Sequence, residues 1–362
     1  MTAMTTFQPM WANPPGATIA DLLEERGQPI RDFASSIDSS IASLSRLLFG
    51  VEPLTNDMAE RLSSALGASP DFWLKREEMY RADLKRLVEN TARNNTAHWF
   101  DSLPLKDMVR FGWIAEGGTQ QETIFNACAF FGTTTPDEFE RKYHRLLSTA
   151  AYRKSDAFET RPSAVAAWLR QGEIAAAAID CAPWSSKMLR ASLDDIRELT
   201  RVKAPGDFLP ALEIILSRCG VALVVARTPQ GCRASGASRF LSADKASIQL
   251  SFRYLVDDQF WFTVFHEIGH LLLHSHDDLF LEGLENRNSD AEREANQFAE
   301  EYLLAKVGKD ALNVVPLSDL GIARLARKAG ISPGIVVGQL QERGRVPYEH
   351  FNYLKVRYSW SD

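Results

Sequence analysis

From residue 17 to about 88, apolar side chains recur every three or four positions, the period of helices that bury one face. The segments ATIADLLEERG, PIRDFASSI, SIASLSRLLFG, NDMAERLSSALG and SPDFWLKREEMYRADLKRL each begin near Ser, Asn, Asp or Pro. Several close at a glycine (Gly27, Gly50, Gly67), which is how short helices are punctuated. Residues 89 to about 205 continue the helical period, rich in Ala, Leu and aromatics, with breaks at GWIAEGG, FGTTTPDEF and CAPWSS. No residue cluster there points to chemistry. Near residue 219 the period changes: CGVALVVA and ASIQLSF read as strands, and in the second Ile248, Leu250 and Phe252 alternate with Gln249 and Ser251. A helix from about Asp258 to His274 follows, then a loop to Ser289 and a helix across AEREANQFAEEYLLA. Residues 316–362 read as a small helical cap containing LSDLGIARLARKAG and SPGIVVGQLQERG. The pattern predicts a mostly α chain with a small β-sheet (α+β) in four parts: a helical domain at 1–88, a helical middle region at 89–205, an α+β domain at 206–310 and a C-terminal helical cap at 311–362.

Composition narrows the partners. A hydrophobic share of 45% and a charged share of 24% are those of a soluble globular protein, long enough for more than one core. With a net charge of −6, any contact with nucleic acid must come from a local surface. The start, MTAMTTFQPMWANPPG, has neither the basic region nor the apolar core of a signal peptide, and no apolar run approaches the length of a membrane span. Cys128, Cys181, Cys219 and Cys232 are scattered, as reduced thiols are. A cytoplasmic protein without membrane contact is the expectation.

The chemistry is concentrated in FTVFHEIGHLLLH, which contains HExxH. On a helix, residues four apart share a face, so His266 and His270 can point both imidazoles at one ion. Glu267 lies beside them, where a carboxylate can take a proton from a water that the ion has activated. Trp261, Phe262, Val264, Phe265, Ile268, Leu271 and Leu272 make the helix apolar nearly all round. Such a helix is buried, and a pair of satisfied core histidines is the bland alternative for the two imidazoles. His276 stands where HExxHxxGxxH would place a third histidine, but that motif needs glycine where Leu273 stands and a methionine turn downstream of the chain's last methionine, Met188. A carboxylate from the next helix is the other solution, and EREAN offers Glu292 and Glu294. Glu292 is favoured, because Asn296 shares its face and can hydrogen-bond a ligand histidine. His274 and His276 then stand outside the ligand set.

FHEIGHLLLH followed by EREANQFAEEYLL resembles the ImmA/IrrE family of bacterial zinc metallo-endopeptidases, over about residues 206–305. The resemblance implies Zn2+ held by His266, His270 and Glu292, with Glu267 as the catalytic residue. It also implies a sheet that lines the cleft and contains ASIQLSF, and a protein substrate: a helix-turn-helix repressor or an antitoxin, encoded nearby, whose cleavage releases stress, phage-related or toxin–antitoxin genes. YLLA replaces the usual LLMP ending, a departure in packing rather than chemistry. ASIQLSF is the candidate edge on which a substrate would add as a strand.

The run from Arg31 to Gly50 resembles the helix-turn-helix of the Xre/HigA type, and GASPDFWLKREEMY resembles the HigA ending. Leu22, Phe33, Ala34, Ile37, Leu44 and Leu47 are spaced to fill its core. The resemblance implies operator DNA as a partner, a homodimer, and a second helix beginning at Ser39–Ser40 that enters the major groove. Arg46 would contact guanine, and Ser40 and Ser43 would hold phosphates. Against this, Ile41 and Ala42 stand where readers are usually polar, and Asp38 stands where the turn usually has glycine. Residues 1–85 carry 8 Lys/Arg against 12 Asp/Glu, so counterion release contributes little. Dimerisation or protein docking is the competing use of this domain. Two functions are therefore open: a transcriptional regulator joined to a zinc endopeptidase, or a non-enzymatic DNA-binding antitoxin or repressor whose zinc fold serves as sensor or scaffold.

Overall fold

The computed structural model describes residues 9–93, 98–144, 161–275, 279–282 and 290–360. His276 lies outside them. The described residues divide into two compact units, one comprising those up to 144 with 161–179 and 229–231, the other 180–228 with 232–360.

In the first unit the five expected N-terminal helices form: α1 (Pro15–Glu25), α2 (Ile30–Ser36), α3 (Ile41–Leu48), α4 (Asn56–Leu66) and α5 (Pro70–Arg93). Ser40 and Thr55 cap α3 and α4 by accepting from the N–H groups of Ser43 and Met58. Asp38 takes a φ of +49° in the turn between α2 and α3, the left-handed conformation that glycine or an Asx residue supplies there. Ile19, Leu23, Phe33, Ala34, Ile37, Leu44, Leu47, Leu62 and Trp73 make the core; Leu22 is half-buried at its edge, because helix rotation gives its neighbour Leu23 the inward place. Gly16 is where α1 crosses α3, since a Cβ there would lie 2.2 Å from the Leu48 carbonyl oxygen. The end of α5 runs on into the middle region, where the Thr91 hydroxyl donates to the Thr134 carbonyl at 2.9 Å and α6 (Gln120–Phe131) packs on it. The Ala-rich α7 (Pro162–Ala177) packs on both α6 and α3.

The second unit is built around one buried helix. After α8 (Pro205–Arg218) come β1 (Val221–Val225), β2 (Gly236–Ser242) and β3 (Lys245–Leu250), then α9 (Asp257–Leu273), β4 (Phe280–Glu282), α10 (Asp290–Leu303), α11 (Asp319–Ala329) and α12 (Pro333–Glu342). The sheet order is β1-β3-β2-β4, with β3 parallel to β1 and antiparallel to β2, and β2 antiparallel to β4. ASIQLSF is therefore not an edge. Its strand is interior, hydrogen-bonded on both sides, and Ser247, Gln249 and Ser251 on its polar face are as buried as Ile248 and Leu250. Such alternation is the usual mark of a half-buried strand, but short polar side chains also fit between a sheet and a covering helix. The described edge beside α9 is β4.

Helix α9 lies against β2 and β3 and packs on α10 and α12, and nearly every side chain along it is buried. Its N-terminus is locked by the C-terminal segment. Asp257 accepts from the Ser332 hydroxyl at 2.7 Å and the Val356 N–H at 3.0 Å, and Lys355 bonds Asp258 at 2.7 Å. Gly334 and Gly338 on α12 leave room for these carboxylates: a Cβ at either would come within 2.5 Å of an aspartate oxygen. No helix among the described residues is long and apolar enough to cross a membrane.

Candidate metal centre and the helix-turn-helix surface

The four-residue spacing on α9 does what helix geometry requires. The Nε2 atoms of His266 and His270 approach to 2.9 Å, and the Glu292 carboxylate on α10 reaches them at 3.4 and 3.1 Å. One donor atom from each of the three residues lies within 4.8 Å of the others, all buried. Gly269 permits this meeting: a Cβ there would sit 3.1 Å from the Phe298 ring and 3.3 Å from Ala295, so any larger residue would push α10 away. The outer nitrogens are held as well. His266 Nδ1 is 3.0 Å from Asn296 Oδ1, which makes Nδ1 the donor and, in the neutral imidazole, leaves the Nε2 lone pair facing the cluster. His270 Nδ1 is 3.1 Å from His274 Nδ1, and His274 Nε2 in turn is 3.1 Å from Glu294. Of the two candidate carboxylates, Glu292 joins the histidines while the exposed Glu294 turns to His274. The His270 ring also stacks on Phe280 of β4, with centroids 4.0 Å apart.

Glu267 is wholly buried beside this cluster, and neither of its carboxylate oxygens has a hydrogen-bond partner of sound geometry among the described residues. Burial raises its carboxyl well above the ordinary carboxylate range, against a smaller opposing pull from His266; the Ser238 hydroxyl on β2 approaches and offsets a little more. Burial also works against a charged His266, yet Glu292, Glu282 and Glu267 around it hold its imidazole up at about 9. Burial brings His270 down to about 4, with Glu292 opposing. Two imidazoles and a carboxylate converging without solvent, beside an unsatisfied buried carboxylate, form a donor set suited to a divalent cation with a proton acceptor next to it. Gly236 on β2 makes this possible, since a Cβ there would lie 2.4 Å from Glu267 Oε1.

The residues expected to touch DNA are engaged within the first unit. The Ser40 hydroxyl caps α3, the Ser43 hydroxyl donates to Glu52 at 3.2 Å, and Arg46 pairs with the same carboxylate at 3.0 Å. Ala42 is exposed on the outer face. The Ser45 flank of α3 is covered by α7, where the Ser45 hydroxyl donates to the Ile174 carbonyl at 2.9 Å and Arg170 stacks over the Phe49 ring.

Residues 223–340 match the family model of the IrrE N-terminal-like domain, peptidase M78. The N-terminal region is similar to the uncharacterized HTH-type transcriptional regulator YddM of Escherichia coli (strain K12), with 36% identity over 76 residues, 21% of this chain and 81% of that protein. The chain thus carries an IrrE N-terminal-like domain of the M78 type, with a region ahead of it that belongs with HTH-type transcriptional regulators. The M78 match runs on through α11 and most of α12, which share the core of α9. Sequence reasoning missed four residues beside this cluster: Gly236 and Ser238 on β2, and Phe280 and Glu282 on β4. For β2 a signal existed, because FLS and ASIQL flank a short polar Ala-Asp-Lys turn, the mark of a hairpin. A strand as short as β4 leaves no periodicity to read.

Proposed function

We propose that the chain is a zinc-dependent endopeptidase joined to an HTH regulator domain, and that its substrate is a repressor or antitoxin protein. One observation carries this reading: the buried cluster of His266, His270 and Glu292 lies directly beside the buried, unsatisfied carboxylate of Glu267. His266, His270 and Glu292 would hold a zinc ion, which would supply a Lewis acid for a peptide carbonyl and for water. Glu267 accepts the proton of the attacking water and passes it to the leaving amine. Asn296 and His274 fix the imidazole orientations, so the Nε2 lone pairs need no reorganisation. The close approach of Gly236 keeps Glu267 in one position. Beside the site, β4 offers an edge to which an extended substrate can add main-chain hydrogen bonds, and selectivity must then come from side-chain pockets or from docking.

A scaffold or sensor has no use for a solvent-free carboxylate beside the cluster, so the enzymatic reading is preferred over the non-enzymatic one. The test is whether the zinc-loaded chain cleaves any repressor or antitoxin encoded by the neighbouring genes. Glu267→Gln should retain zinc and fold while losing activity by about a hundredfold or more, because an amide cannot accept the proton. Full proteolysis by that variant would sink the reading.

A further inference from the structure

The face of α9 that carries the histidines continues toward its N-terminus. Helical spacing puts Thr263 one turn before Glu267 and Gln259 one turn before that, on the same stripe. Beside them lies a cavity of about 10 Å³, lined by Ser235, Leu250, Phe252, Arg253, Leu255 and Thr263 among others. It adjoins the catalytic centre through Gly236, the point at which β2 presses on both Thr263 and Glu267.

The wall of this cavity is strained and braced. Phe252 and Leu255 have φ values of +50° and +52°, a conformation unfavourable for a non-glycine residue that persists where the surroundings enforce it. Phe252 stacks on Phe260 with centroids 4.3 Å apart. The preceding Ser251 hydroxyl donates to the Ala234 carbonyl at 2.8 Å, and the Leu255 carbonyl accepts from the Tyr358 N–H at 2.8 Å. The wall is thus fixed by β2 on one side and by the C-terminal segment on the other.

We propose that this cavity is the specificity pocket of the peptidase, receiving the side chain that flanks the scissile bond and admitting small uncharged residues of alanine size. The proposal rests on the peptidase reading given above. Position supports it: one helical turn is about 5.4 Å, and residues of an extended chain are about 3.3 Å apart, so a substrate carbonyl held at Glu267 brings a flanking side chain to Thr263. Size supports it too, since such a volume takes about one water or one methyl group. A charged side chain would be desolvated against Leu250, Phe252 and Leu255, and the Arg253 guanidinium in the wall already bonds the Arg233 carbonyl and lies over the Tyr254 ring.

The test is calorimetric binding of glycine, alanine and leucine hydroxamates to the full-length, zinc-loaded chain. Alanine hydroxamate should bind about tenfold tighter than leucine hydroxamate. Leu255→Gly suits its left-handed backbone and opens the wall; leucine hydroxamate should then rise to parity with alanine, with glycine unchanged. Ser235→Val fills the pocket from the residue just before β2, and alanine hydroxamate should fall to the level of glycine. Zinc content and thermal unfolding report that each variant is folded. An unaltered affinity order in both folded, zinc-loaded variants, or a native preference for leucine, overturns the pocket. Failure of glycine hydroxamate to bind the zinc-loaded native chain overturns the peptidase reading, and the pocket with it.

Discussion

At the scale of single residues, the proposed function rests on which carboxylate reaches the two histidines and on which charges the fold keeps out of water. Glu292 and Glu294 are chemically identical and two positions apart, so helix rotation sends one to the cluster and the other to His274. Metal analysis should therefore find Glu292→Ala depleted of zinc by at least about tenfold in affinity and Glu294→Ala close to the native chain. A reversed order would mean that the wrong carboxylate has been placed in the ligand set. Asp257, at the head of α9, makes a different prediction. Burial raises its carboxyl to about 6, although the Ser332 hydroxyl and the Val356 N–H favour its charged form. The folded chain then binds a proton at this residue that the unfolded chain, with an ordinary carboxylate near 3.8, has already released. The contribution of Asp257 to stability is thus present at low pH and is lost as pH rises from about 4 through about 6, by up to roughly 3 kcal/mol. Asp257→Asn should remove this slope, so the difference in unfolding free energy between variant and native chain should move in the variant's favour across that window. A constant difference from pH 4 to pH 7 would show that Asp257 does not titrate in this way.

At the scale of elements, α9 is held as a rigid rail by what surrounds it. Its N-terminus is fixed through Asp257 and Asp258, its flank through Gly269 against α10, and its site face through Gly236 on β2. These glycines and aspartates carry no chemistry of their own, yet they set the positions of His266, Glu267 and His270. The helix-turn-helix is organised in the opposite sense, because Ser40, Ser43 and Arg46 are held in internal bonds rather than presented to a ligand. Glu52 holds both Ser43 and Arg46, and α7 covers the Ser45 flank. Removing the carboxylate in Glu52→Ala frees Arg46 and takes away one repelling charge. Fluorescence anisotropy on duplex DNA should then show tighter binding and a salt dependence steeper by about one counterion. An unchanged salt slope would indicate that Arg46 does not approach DNA, and would favour protein docking as the use of this domain.

At the scale of the whole molecule, the two compact units have separate cores, and the proposed zinc site lies entirely within the second. A ligand that binds only the folded state stabilises the unit that holds it, by about 4 kcal/mol when present at a thousand times its dissociation constant. Differential scanning calorimetry of the zinc-loaded chain with and without a chelator should therefore move the transition of the second unit downward and leave that of the first in place. Equal displacement of both would mean that the units unfold as one, and no displacement would argue against a metal at His266, His270 and Glu292. The net charge of −6 belongs to the molecule as a whole and says little about either site, because each is decided by a few local side chains.

Local rules determined much of this protein from sequence alone. The N-terminal helices, their capping residues and glycine stops, the HExxH helix and the helix carrying EREAN all follow from spacing, and so does the partnership of His266 with His270, since four residues on a helix permit no other arrangement. What tertiary structure decided are the contacts between residues far apart in the chain. The choice of Glu292 over Glu294 depends on how α10 rotates against α9. The burial of Ser247, Gln249 and Ser251 depends on the cover over both faces of β3, which its alternating pattern does not reveal. Gly236 opposite Glu267, β4 beside His270 and α7 against α3 leave no periodic trace, because each is one close approach between backbones or side chains that are neighbours only after folding.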